Sequence, residues 1–154
     1  MALWTHKNIE AHVWPLDHCP PHVTFVSRDG WAARMKFSMV DDAYLELWDV
    51  KPVGIRPPAS KLLNQLAEQL LDRLLECRGE WWRTQQKVCL DNSDVRRVGA
   101  ASAKRVALCD RKAWQGRIVA RSGMYRAAPG GGFEVVVSVR WSNGTTTQHE
   151  RVEA

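Results

Sequence analysis

Gly30-Trp31-Ala32-Ala33-Arg34-Met35-Lys36-Phe37-Ser38-Met39 decides the fold of the first half of this chain. Trp31, Ala33, Met35, Phe37 and Met39 alternate with Ala32, Arg34, Lys36 and Ser38. Side chains along a strand point to opposite faces, so a period of two with one apolar and one polar set marks a strand with one buried face. Arg28-Asp29-Gly30 before it and Asp41-Asp42 after it are turn formers, which predicts hairpin neighbours at Val23 to Ser27 and Tyr44 to Val50. An earlier strand around Ile9 to Trp14 completes an antiparallel sheet of three or four strands.

Pro57 and Pro58 end the strand pattern, and Pro58 suits a first helical turn, where its missing N–H is not needed. Leu63, Ala67, Leu70, Leu74, Cys77 and Trp81 then recur at helical spacing, broadened by Leu62, Leu66, Leu71 and Leu75. One long helix that covers the sheet is predicted, with a kink or break at Gly79 before Trp81-Trp82. Residues 91–103 are small and polar, with few apolar anchors, and read as a connector. Beyond them strands return at Arg105 to Cys109, Gln115 to Arg121, Phe133 to Trp141 and residues 145–152. Ser142-Asn143-Gly144 predicts a tight type I′ hairpin turn, and Pro129-Gly130-Gly131-Gly132 a loop tip. The expected fold class is α+β: an antiparallel sheet packed on one long helix in residues 1–90, the connector, and a small basic β-meander or barrel-like unit in residues 104–154.

Residues 1–90 balance 11 Lys/Arg against 11 Asp/Glu, whereas residues 91–154 hold 11 and 6, so the whole net charge of +5 lies in the second part. An excess so placed points to an acidic partner, nucleic acid or an acidic protein, with a solubilising surface as the alternative. There is no apolar run of membrane-spanning length and no signal-peptide pattern at Met1 to Lys7, which predicts a cytoplasmic protein without membrane contact. In that compartment Cys19, Cys77, Cys89 and Cys109 are expected as reduced thiols.

The densest polar constellation is Asp17-His18-Cys19-Pro20-Pro21-His22. Two prolines stiffen the backbone, so His18 and His22 are carried on a rigid arm and are the candidate acid–base residues. The same rigidity suits a plain turn into a strand. His18, Cys19 and His22 offer nitrogen and sulfur ligands and Asp17 oxygen, but a structural zinc site takes four, and Cys89, Cys109 or His149 would have to come near; no metal site and no cofactor are assigned. The acidic cluster Asp41, Asp42, Glu46 and Asp49 reads as turn chemistry. No nucleophile elbow, phosphate-binding loop or dinucleotide fingerprint is present. Arg96, Arg97, Lys104, Arg105, Arg111, Lys112, Arg117 and Arg121, interleaved with Trp114 and Tyr125, are candidate contacts to single-stranded nucleic acid by phosphate pairing and base stacking.

The stretch from Ile9 to Gln86 resembles a bacterial family of small proteins known as domain of unknown function 4160. The similarity lies in Asp17-His18-Cys19-Pro20-Pro21-His22-Val23, the strand pair after it, and the leucine-rich helix that ends at Trp81-Trp82. The family places a third histidine two residues after the second; Thr24 stands there, which leaves a three-histidine site incomplete. The resemblance implies a regulatory, partner-binding role of the kind found in toxin–antitoxin-like pairs, and no established activity. Beyond Val95 it does not extend, and Val137 to Thr145 is weakly similar to SH3- or Tudor-like hairpins. The reading is a non-catalytic cytoplasmic interaction protein that binds a protein partner, or a second copy of itself, and nucleic acid through its basic part. The alternative is a nucleic-acid-directed hydrolase using His18 and His22.

Overall fold

The computed structural model describes residues 1–52 and 58–154. The expected strand stop at Pro57 lies outside them; the helix follows Pro58. The fold is α+β, and the chain divides into two compact units, Met1–Ser38 with Asp42–Gln86 and Met39–Asp41 with Lys87–Ala154.

The first unit is a five-stranded antiparallel meander of β1 (Trp4–His6), β2 (Ile9–His12), β3 (His22–Ser27), β4 (Ala32–Phe37) and β5 (Leu45–Lys51), paired in that order. Trp31, Ala33, Met35 and Phe37 are all buried, while Ala32, Arg34, Lys36 and Ser38 are half-exposed, as the alternation predicts; Met39, also buried, belongs to the second unit. At the β3–β4 turn Gly30 takes φ +95° and its N–H bonds the Ser27 carbonyl, a conformation that other residues adopt only under strain. Val23 faces Met35 and Phe25 faces Ala33 across the ladder, so one sheet face is continuously apolar.

The expected single helix is two: α1 (Ser60–Asp72) and α2 (Leu74–Gln85). The break falls at Arg73 and not at Gly79, which lies inside α2 with open space where a Cβ would sit. Arg73 N–H reaches both the Gln69 and Leu70 carbonyls, so its own donor stays met at the break. Leu66, Leu70, Leu74, Cys77 and Trp81 form one buried stripe across it. The stripe meets the sheet where the Trp81 ring packs edge-on to Phe37, at 6.3 Å between centroids. At the other end the Trp4 indole N–H donates to Gln69 Oε1.

The second unit is a closed five-stranded barrel. β6 (Asp94–Arg97), β7 (Arg105–Leu108), β8 (Gly116–Ile118), β10 (Phe133–Trp141) and β11 (Thr146–Glu153) run in the order β7-β6-β8-β10-β11, and a parallel β11–β7 ladder closes the ring. β9 (Met124–Ala127) adds to the free part of β10. Residues 91–103 are thus not a connector: they hold β6, which pairs with both β7 and β8. Its one apolar anchor, Val95, is fully buried. The Asn143-Gly144 turn is not type I′ either, because only Gly144 has a positive φ; Trp141 N–H bonds the Thr145 carbonyl and Gly144 N–H the Trp141 carbonyl, as in a three-residue loop ended by a left-handed glycine.

Cys19 and Cys89 are each disulfide-bonded, whereas Cys77 and Cys109 are free. The expectation of four reduced thiols is overturned. Bond formation is set by the geometry of the folded chain, to which an inference from compartment is blind. Among the described residues no helix is long and apolar enough to cross a membrane.

Candidate functional site

The Asp17–His22 turn is built from its own backbone. Asp17 N–H bonds the Trp14 carbonyl at 3.1 Å, and Trp14 N–H returns to Asp17 Oδ2 at 2.7 Å. Asp17 Oδ1 is left 3.3 Å from His22 Nε2. On the other edge of the ring, His22 Nδ1 lies 2.8 Å from the carbonyl of Pro20. Both ring nitrogens of His22 therefore face oxygen acceptors, and the residue is only 1% exposed, packed against Trp48 and Trp81 at 5.1 and 5.5 Å between centroids. His18 is exposed, with Nδ1 3.1 Å from the Cys19 carbonyl and its ring edge-on to Trp48. The two imidazoles are 6.4 Å apart.

Trp48 organises this face. The β4–β5 ladder shifts register between Arg34, opposite Asp49, and Met35, opposite Leu47, which makes Trp48 the extra residue of a bulge. A bulge re-aims the side chain it inserts. Here the indole lies under the Arg34 guanidinium at 4.0 Å and near the Lys36 ammonium at 5.2 Å. Arg34 is also bound by Asp49, Nε to Oδ1 at 2.8 Å with a second, shorter bond to Oδ2. This pairing holds the Asp49 carboxyl below the usual carboxylate range and raises Arg34 further. The acidic cluster is dispersed: Asp42 accepts from Arg78, Glu46 from Tyr44, and Asp49 from Arg34. Among the described residues no three His, Cys, Asp or Glu side chains converge as metal ligands. His12, not singled out by sequence, is buried beneath Trp14 with the rings stacked at 4.1 Å.

On the barrel, three of the eight basic candidates are committed to carboxylates. Arg97 binds the buried Glu150 at 2.7 Å, Arg105 binds Glu153 at 2.6 Å, and Arg117 binds Asp94 at 2.9 Å. Lys104 donates to the Gln148 carbonyl at 3.2 Å. Arg96, Arg111, Lys112 and Arg121 are exposed and form no ion pair among the described residues. The pairing of β8 with β6 and β10 sets Asp94, Arg117 and Arg140 in one cross-strand row on the outer surface. Arg96 lies two residues along β6 from Asp94, on the same outer side. Trp114 is exposed beside Arg117, 5.3 Å from its guanidinium, at the end of the loop that carries Arg111 and Lys112. Tyr125, the other aromatic proposed for stacking, is buried against Phe133 and unavailable to a base. Arg140 was absent from the sequence-derived set, although its place in the alternating run Phe133 to Trp141 marks it as outward-facing. The eight candidates thus do not form one surface: the row gathers Arg96 and Arg117 with Arg140 and Trp114, while Lys104 and Arg105 lie at the β7–β11 ladder.

No protein-family model, curated protein or solved structure matches the chain. The similarity over Ile9 to Gln86 stands on its sequence elements alone.

Proposed function

We propose that the chain is a non-catalytic binding protein whose barrel takes single-stranded nucleic acid along the β6–β8–β10 outer face. The observation that carries this reading is the cross-strand pair Arg117 and Arg140 beside the exposed Trp114. Like charges directly opposite in a sheet disfavour the fold; Asp94 pairs with Arg117 and leaves Arg140 without a carboxylate, so an anionic strand supplies the missing counter-charge, and an exposed indole next to them offers a surface on which any base stacks. The sheet-and-helix unit is the element for a protein partner. Leu71 and Leu75, four residues apart about the helix break, are 39% and 61% exposed. A place in a toxin–antitoxin-like pair rests on the family resemblance.

The competing reading, a hydrolase using His18 and His22, is poorly served by this geometry. A general base must reach substrate, and His22 is enclosed with both nitrogens engaged. Titration of labelled oligo-dU by fluorescence anisotropy, repeated across salt concentrations, tests the proposal: it predicts binding that weakens steeply with salt and no cleavage of the oligonucleotide.

A further inference from the structure

Two edges bound the sheet of the first unit, the three-residue β1 and the seven-residue β5. An edge strand carries a row of backbone N–H and C=O groups open to a further strand, and a short edge is one way to limit that exposure. β5 is not short. Its outer edge has no partner strand among the described residues, and Leu47 is 44% exposed although it stands opposite the buried Met35.

The bulge gives this edge a reversal symmetry. Leu45, Leu47 and Val50 stand opposite Phe37, Met35 and Ala33, on the apolar face of the sheet, whereas Glu46, Asp49 and Lys51 stand opposite Lys36, Arg34 and Ala32, on the polar face. Trp48, the extra residue, joins the polar side, where its ring meets Arg34 and Lys36. From Glu46 to Lys51 the faces therefore run polar, apolar, polar, polar, apolar, polar, the same in either direction. Regular alternation over that stretch would not read so. Residues directly opposite in an antiparallel pair share a face, so a two-fold pairing centred between Trp48 and Asp49 requires this pattern.

That pairing sets Leu47 against Val50, Trp48 against Asp49 and Glu46 against Lys51, each twice by symmetry. Apolar meets apolar, and acid meets base. Centring on Trp48 instead would set Leu47 against Asp49. The two charges are accessible: the Glu46 and Lys51 side chains are 55% and 63% exposed, and their ion pairs within the chain, to Lys36 at 3.8 Å and Asp49 at 3.7 Å, are long and weak. Glu46 Oε2 accepts the Tyr44 hydroxyl, which leaves Oε1 for a partner.

We infer that β5 pairs antiparallel with β5 of a second copy of this chain in this register, joining two sheets into one across a two-fold axis. A strand without a matching irregularity meets the bulged edge out of step, so the occupant is a second copy and not an arbitrary extended peptide. A single strand on each side falls well short of the about 20–30 residues a side of a stable interface, so the dimer is weak and forms with rising concentration. The inference concerns the first unit and is independent of strand binding by the barrel.

Sedimentation equilibrium of the full chain from about 5 to about 500 µM should show the mean mass rising from one chain towards two. Glu46→Lys turns both symmetry-related contacts into Lys–Lys pairs and should weaken association by about tenfold or more; Lys51→Glu should do the same through Glu–Glu pairs. The double variant Glu46→Lys, Lys51→Glu restores opposite charges across the axis and should return to within about threefold of the parent. It carries every loss inside the chain that the single variants carry, at Lys36, Tyr44 and Asp49, so its recovery separates the interface from the fold. One-chain mass at every concentration would overturn the dimer. Unchanged association in both single variants, or a double variant as weak as they are, would overturn β5 as its surface.

Discussion

Arg117 on β8 and Arg140 on β10 stand directly opposite each other, and the carboxylate in their row belongs to Asp94 on β6, which binds Arg117. Arg140 is exposed and forms no ion pair among the described residues. A sheet that keeps such a pair forgoes a few tenths of a kcal/mol, up to about 1 kcal/mol, that an opposite-charge pair would return. On the nucleic-acid reading proposed above, the same two charges, side by side on an outer face, would meet phosphates of one strand.

The His22 ring is buried, with both of its nitrogens against oxygen acceptors. His22→Ala removes a wholly buried side chain, takes a partner from Asp17 and opens space between Trp48 and Trp81; a loss of about 2–4 kcal/mol is expected. His18→Ala, at an exposed position, should stay within about 0.5 kcal/mol of the parent. Urea denaturation of the two variants measures the contrast. An unchanged midpoint for His22→Ala, or stoichiometric zinc that is lost with either histidine, would mark the turn as a site instead.

Trp141 lies over a glycine. A Cβ on Gly116 would stand 2.7 Å from Val139 Cγ1, 2.9 Å from a ring carbon of Trp141 and 3.0 Å from the Arg140 carbonyl oxygen. Gly116→Ala should cost about 1–3 kcal/mol through overpacking. Thermal unfolding would show it as a lowered midpoint, and an unaltered midpoint would mean that the indole is not held against β8.

The thiols give a count. Protein prepared without reductant should yield two reactive thiols in denaturant, Cys77 and Cys109, and four after reduction. In the native state Cys77 should not react, since burial pushes its thiol up to about 12 and leaves almost no thiolate. Four thiols before reduction would contradict the disulfide bonding of Cys19 and Cys89.

Much of the first unit was legible because its core is one-sided. The alternation from Trp31 to Met39 follows directly from a strand with one wet face, and the leucine stripe follows from a helix laid on the other. The helix break was misplaced because propensity points to Gly79, whereas the backbone tightened at Arg73, where both of its acceptors remain in reach. Trp48 was illegible as the centre of a cluster: a bulge has no sequence period, and its neighbours Arg34, Lys36 and His22 come from other strands. Strand β6 was lost for a related reason. Asp94-Val95-Arg96-Arg97 carries one apolar residue, and the partly buried Arg97 is balanced by Glu150, far along the chain. Composition locates the charge excess, but only strand pairing places Arg117 opposite Arg140 and Arg105 at the β7–β11 ladder.

The salt dependence of oligo-dU binding, measured for the parent chain and for the double variant Arg117→Ala, Arg140→Ala, tests the central claim most directly. Each phosphate contact removed from a single-stranded complex lowers the slope of log affinity against log salt by about 0.7, so the double variant should be shallower by about 1.4. Its unfolding midpoint should stay near the parent's or fall slightly, because relief of the like-charge pair is set against loss of the Arg117–Asp94 ion pair. A parent chain that does not bind at low salt, or a double variant with the parent's slope, would contradict the account.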